Sequence, residues 1–258
     1  MNSEEKKQRI LERTMEVYPK DCHVVPYSTP VVSFGDPNKA RVATLGINPS
    51  CIEFLDNKGN VLSPTRRRLV DTNELGLDKE VESLDINQAQ LVVDGCYKYF
   101  ETGRHYDGWF GRFEKHALNI ASASYFSSSD PLIDLACHLD IVQWATDPVW
   151  NKIENKEVRK KLLANDIEFL RFQLTNFDFK TLFLNGRQVV DQFKKLDLCN
   201  LAVVGSTPYQ SKGAMSDLYH GFYGKTEVWG WSLNLQSQVT NSNLNDLSEN
   251  LNRLFAAR

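Results

Sequence analysis

Apolar residues along the chain fall into short unbroken runs that alternate with stretches of helical spacing. Arg41 to Leu45, the second half of Asp134 to Thr146, Thr181 to Gly186 and Lys225 to Leu235 read as strands. Between them, Lys156 to Thr175 places Val158, Leu162, Leu163, Ile167, Leu170 and Leu174 at helical intervals. Helices are also expected over Ser3 to Tyr18 (apolar at Ile10, Leu11, Met15 and Val17), Ile86 to Phe100, Trp109 to Ala123, Arg187 to Leu196 and Asn243 to Phe255. Ser3 is the expected cap of the first helix. Val24 to Phe34 is broken by prolines and is expected beside the first strand. Leu201 to Val204 is either a short strand or part of a crossover, and Ser206 to Tyr223 reads as loop. Strands that are apolar throughout are buried on both faces, which indicates a mainly parallel sheet with helices on each side. The expected architecture is α/β, a three-layer α/β/α sandwich around four strands, in one domain spanning 1–258.

Composition narrows the setting. The chain has 258 residues, 41% hydrophobic and 24% charged, with a net charge of −3. A balance so close to neutral argues against coating nucleic acid broadly, but leaves room for a local basic cleft. Five separated cysteines, with no Cys-x-x-Cys, suit reduced thiols and a cytoplasmic location, and no metal or iron–sulfur cluster is expected. The charged stretch Met1 to Lys7 leads to the expectation of no signal peptide, and no run approaches the roughly 20 apolar residues of a membrane span. No Gly-x-Gly-x-x-Gly follows a strand and no phosphate-loop motif occurs, so neither a dinucleotide enzyme nor an NTPase is indicated. No cofactor is expected.

Candidate chemistry gathers at strand ends. Val42 to Leu45 stops at Gly46, followed by Ile47, Asn48, Pro49 and Ser50. Gly46 permits unusual backbone angles, and Pro49 fixes its own φ and turns Asn48 away from helix. Open α/β sheets bind ligands at this edge. The same letters also fit an ordinary buried strand end. Asp140 and Gln143 lie on the second strand, and Asn234, Gln236 and Ser237 follow the last. Arg66, Arg67, Arg68 and Arg104 are candidate phosphate contacts or a solvated face; Phe54 and Trp109 are candidate stacking partners or core.

The segment Gly46-Ile47-Asn48-Pro49-Ser50 resembles the first motif of the uracil-DNA glycosylase superfamily, close to the Gly-Ile-Asn-Pro form of its mismatch-specific branch. Leu139 to Trp144 is similar to the family's second strand, Thr181 to Gly186 to its third strand-and-helix unit, and Asn234 to Ser237 stands where the family has His-Pro-Ser. The likeness spans about residues 40 to 257 in order of elements; only the first motif is close in letters.

That resemblance implies a monomeric DNA glycosylase that flips a base and leaves an abasic site. Asn48, Asp140 and Gln236 would be catalytic. Gly46, Ile47, Pro49, Ser50, Phe54, Trp109, Gln143, Asn234 and Ser237 would bind substrate, and DNA would be the partner. Asn48 is an amide and no general base, so its part would be to accept a hydrogen bond from water. Asp140 replaces the family's base-reading asparagine. Ionised, it only accepts, which suits the exocyclic amine of a cytosine-type base. A modified cytosine such as glucosylated hydroxymethylcytosine follows, and with it antiviral defence beside DNA repair. The His-Pro-Ser histidine is missing; His105, His138 or His220 could replace it. A non-catalytic nucleic-acid-binding member of the fold, or a small-molecule hydrolase or transferase, remains open.

Overall fold

The computed structural model describes residues 1–17, 19–78, 83–208, 214–237 and 239–257. Two compact units interleave along the chain. Met1–Asp36, Ile47–His105 and Leu139–Phe177 form the first, and Pro37–Gly46, Tyr106–His138 and Asp178–Arg258 the second.

The second unit is built on the sheet. Its strands are β1 (Val42–Gly46), β2 (Ala123–Ser124), β3 (Asp134–Asp140), β4 (Thr181–Asn185), β5 (Ala202–Pro208), β6 (Met215–Tyr223) and β7 (Thr226–Trp231). They lie in the order β2-β3-β1-β4-β7-β6-β5. The pairs β2–β3, β1–β4 and β4–β7 are parallel, whereas β6 runs antiparallel to both β7 and β5. The protein is therefore α/β with one mixed, mostly parallel sheet of seven strands. The expected count of four was too low. The four expected strands are contiguous, β3-β1-β4-β7, with β2 added on one side and the β5–β6 hairpin on the other. Of the hairpin, Leu201 to Val204, expected as a short strand or part of a crossover, falls at the start of β5, whereas Ser206 to Tyr223, expected as loop, carries the rest of β5 and all of β6 among the described residues. Much of β5 is exposed, and β6 alternates between inward Ser216 and Leu218 and outward Met215 and Phe222. Residues 209–213 of that stretch lie outside the described residues.

Burial explains the central strands. Every residue of β1 and β4 is buried, so the backbone must be satisfied by neighbours and both faces take apolar side chains. Helix α5 (Arg187–Lys195) leaves β4 through Gly186 and buries Val189, Val190 and Phe193. Gly230 on β7 allows close packing: a Cβ there would meet Val190 and Leu184 at 3.1 and 3.2 Å. Helix α3 (Asp107–His116) ends sooner than the apolar pattern suggested, and a 3-10 turn covers Leu118–Ala121. Helix α6 (Asn241–Ala256) closes the chain, capped by Thr240.

The first unit contains α1 (Ser3–Thr14), α2 (Ile86–Tyr97) and α4 (Lys156–Asn176). Asn2, not Ser3, caps α1: its side chain accepts from the Glu5 amide, and Glu5 answers at the Asn2 amide. The expected inward Val17 is exposed, and Tyr18 lies outside the described residues. Val24–Phe34 is buried except at Pro26 and Tyr27 and bonds to an irregular segment: Val25 N–H donates to the Ala145 carbonyl and Val31 N–H to that of Gln143. That segment corrects a second expectation. The strand occupies Asp134–Asp140, and residues 141–146 leave the ladder. Their amides are satisfied elsewhere, Val142 N–H by the Ile47 carbonyl and Gln143 N–H by the Asp166 carboxylate. Among the described residues no helix is long and apolar enough to cross a membrane.

Candidate functional site

Gly46 is itself the last residue of β1, in extended backbone, so the turn beyond it does not depend on a left-handed glycine. Within the first unit, Ile47 then packs beside Cys22, Val24, Val142 and Trp144. Ser50 forms an isolated parallel bridge with Thr146, and Thr146 an antiparallel one with Val24. The motif turn is thus fastened to the segment after Asp140.

This arrangement fixes Asn48. Its Nδ2 donates to the carbonyls of Pro49 at 3.1 Å and Trp144 at 3.2 Å, and to the Thr146 hydroxyl at 3.1 Å. Carbonyl oxygens only accept, so the amide nitrogen must face them and the orientation is determined. The other end, Oδ1, carries the acceptor capacity, and Asn48 is only partly buried. The side chain is an oriented acceptor on a rigid turn.

Asp140 ends β3 and is 4% exposed. The next residues are held from behind. Gln143 is fully buried, with Nε2 donating to the Asp140 carbonyl at 2.8 Å and the Ile141 carbonyl at 3.1 Å. Its Oε1 accepts from Arg13 Nε at 3.2 Å. Arg13, from α1, is fully buried and pairs with fully buried Asp166 of α4 at 2.8 Å. The Arg13 guanidinium also lies over the rings of Trp144 and Phe169, 5.9 Å from each centroid. Gln143 therefore braces the backbone around Asp140, and the expectation that it binds substrate is corrected: its amide is spent on the protein's own groups.

The site also contains an acid that the sequence reading passed over. Glu53 sits at the end of a 3-10 turn, Cys51–Glu53, and is 2% exposed. The Tyr99 hydroxyl donates to its Oε2 at 2.8 Å. Tyr99 is held edge-on by Phe34 and Phe100, at 4.7 and 5.1 Å between ring centroids. Burial pushes the Glu53 carboxyl from 4.5 up to about 7. The Tyr99 hydrogen bond and the Arg68 charge pull against that rise, and the Asp140 charge adds to it. The only local sign in the sequence is a glutamate inside the apolar run Ile52-Glu53-Phe54-Leu55.

Phe54 is 2% exposed and belongs to the core, which corrects its assignment as a stacking platform. The arginine triplet divides. Arg67 pairs with buried Asp71 at 2.8 Å. Arg68 donates to the carbonyls of Ile52 and, at 3.0 Å, Arg104. Arg104 donates to the carbonyls of Pro64 and Arg67 at 3.4 and 3.3 Å. These three tie the loop together; Arg66 is exposed.

The remaining candidates lie in the second unit. Asn234 Oδ1 accepts from the Gln236 amide at 2.9 Å and from Asn185 Nδ2 at 3.3 Å. Ser237 Oγ donates back to the Asn234 carbonyl at 2.6 Å. Gln236 Nε2 donates to the Trp109 carbonyl at 3.0 Å. Gly186 has φ 95°, and a Cβ there would stand 3.3 Å from that of Asn234. Asn234 is therefore a turn bracket, and Gln236 ties the turn to α3. Arg112, absent from the sequence reading, donates to the Leu235 carbonyl and, at 3.4 Å, to that of Ser237. Of the histidines, His138 is buried with Nδ1 2.7 Å from Thr44 Oγ1 and its ring edge-on to Phe110. His220 pairs with Glu227 at 2.9 Å across β6 and β7. His105 lies beside the Phe100 ring.

Among the described residues no group of three or more His, Cys, Asp or Glu could hold a metal ion. A comparison with protein-family models and with curated proteins gives no match in either case.

Proposed function

We propose that this chain is a DNA glycosylase of the uracil-DNA glycosylase type, with the three-layer fold of that superfamily, and that it removes a cytosine-type base. The reading is supported chiefly by one observation: the Asn48 nitrogen is pinned by three acceptors, which fixes Oδ1 as the acceptor end of the side chain. Hydrolysis needs a water held in line while the N-glycosidic bond breaks towards a cation-like sugar. An oriented amide oxygen supplies position without a proton-transfer role. In the reaction the C1′–N1 bond breaks and a C1′–O bond forms. The base leaves with the electron pair and takes up a proton, while the attacking water loses one. Asp140, braced through its own carbonyl by Gln143, would accept from the exocyclic amine of the extruded base. Exposed Arg66 is the triplet's remaining candidate for a phosphate. The chain would act on DNA as a monomer in the cytoplasm, in repair or in defence against phage with decorated cytosine.

The test is a panel of defined oligonucleotides carrying uracil, cytosine, hydroxymethylcytosine and glucosylated hydroxymethylcytosine, scored for abasic sites. Release of a cytosine-type base supports the proposal. Release of uracil alone overturns the assignment of Asp140. Binding to DNA with no release from any member leaves a non-catalytic binding protein.

A further inference from the structure

Three nitrogens of Arg13 serve three different partners. Nη1 pairs with Glu16 at 2.9 Å and Nη2 with Asp166 at 2.8 Å, while Nε donates to Gln143 Oε1 at 3.2 Å. The last of these decides how the Gln143 amide lies. With Oε1 towards a donor, Nε2 has to face the Asp140 and Ile141 carbonyls, which it meets at 2.8 and 3.1 Å. Asp166 holds the same residue by its backbone, accepting from the Gln143 N–H at 2.6 Å. The Gln143 carbonyl accepts from Val31 N–H at 2.8 Å. Gln143 is fully buried, so its polar groups depend on these partners. The next residue, Trp144, offers its carbonyl to Asn48 Nδ2 at 3.2 Å, and the Thr146 hydroxyl accepts from the same nitrogen at 3.1 Å. Two of the three acceptors that orient Asn48 thus stand within three positions of Gln143. The third, the Pro49 carbonyl, belongs to the turn of Asn48 itself.

We propose that Arg13 and Gln143 are positioning residues for Asn48: the first helix, through Arg13, sets the Gln143 amide, and Gln143 sets the 144–146 backbone that orients Asn48. This rests on the glycosylase reading for its catalytic consequence and deepens it, by making α1 part of the machinery that places the attacking water. What Gln143 takes from Arg13 is not charge but a fork, with one N–H directed away from the ion pairs. A lysine carries its charge on a single nitrogen, which cannot stand where both Nη2 and Nε stand. Arg13→Lys therefore separates the two roles. It keeps a cation beside Asp166 and removes the donor to Gln143.

The coupling can be read without any substrate, from hydrogen exchange of the Asn48 side-chain amide in protein labelled with nitrogen-15. Loss of the signal in Asn48→Asp identifies it. Arg13→Lys and Gln143→Met should each raise that exchange about tenfold or more, while the backbone amides around buried Leu170 in α4 keep their wild-type protection. A merely structural role would raise both together. Unchanged Asn48 exchange in both variants, or an equal acceleration around Leu170, overturns the proposal. Should either variant fail to fold, Arg13→Met with Asp166→Leu removes the buried charges together and still takes the donor from Gln143, so the same local rise is expected of it. In base release, kcat of Arg13→Lys should fall about tenfold with KM unchanged, because a misdirected Asn48 costs position and not affinity. A raised KM with kcat retained also overturns the proposal. Raised Asn48 exchange confined to the site, with no base released from any substrate by the wild type, upholds the coupling and overturns the glycosylase function instead.

Discussion

Two buried acids of the first unit, Asp166 and Glu53, sit in contrasting surroundings. Behind the 141–146 segment, Arg13, Asp166 and Gln143 form a closed set, in which a cation faces an acid and the amide is shared between Arg13 and the backbone. Glu53 instead accepts a hydrogen bond from the Tyr99 hydroxyl at 2.8 Å. Burial pushes both Asp166 and Glu53 up, but at Asp166 the Arg13 charge, the Asn165 amide and the Gln143 N–H all oppose it. At Glu53 the Tyr99 hydrogen bond and the Arg68 charge do so. A closed buried network stabilises a shape, whereas a buried acid whose burial is less fully opposed keeps a raised affinity for its proton.

The contrast breaks most sharply at Arg13. Removing it by Arg13→Ala leaves Asp166 buried and unpaired, at a cost of about 3–5 kcal/mol. Replacing both partners with apolar residues, as in Arg13→Met with Asp166→Leu, should cost clearly less than the single change. Urea unfolding reads both. If the single variant loses under about 1 kcal/mol, Arg13 is not the keystone of the platform.

At Glu53 the effect has a sign in pH. Its folded value, about 7, lies above the ordinary 4.5. The folded state therefore binds the proton more tightly, and the stability this supplies is complete below pH 4.5. It is lost as pH rises through 7, by about 3 kcal/mol in all. Glu53→Gln should abolish that slope between pH 4.5 and 7 in urea unfolding, and an unchanged slope would assign it to other groups.

In the second unit, Gly186→Ala forces a side chain into a left-handed backbone beside Asn234 and should cost about 1–3 kcal/mol. The smallest effect belongs to Arg66→Glu. Stability should stay within about 0.5 kcal/mol, while the salt dependence of DNA binding loses about one phosphate contact. No change in that slope removes Arg66 from the interface.

These differences also explain what could be read from the letters. β1 and β4 announce themselves because a doubly buried parallel strand needs an apolar run, and the Asn48 turn because proline and asparagine act locally. The start of β5 showed as the short run Leu201 to Val204, but β6 hid because a partly exposed strand carries mixed letters. Glu53 hid because what sets it apart is its burial and the Tyr99 hydroxyl, brought there from 46 positions away. Gln143 looked like a ligand-reading amide because its partner, Arg13, lies 130 positions distant. Residue type was legible; the partner that decides its use was not.

The most direct measurement compares Asn48→Ala with wild type in single-turnover release of a cytosine-type base, with urea unfolding of both proteins alongside. An oriented acceptor that holds the attacking water predicts a rate about a hundredfold lower while the variant remains folded. Equal rates in two folded proteins would contradict it.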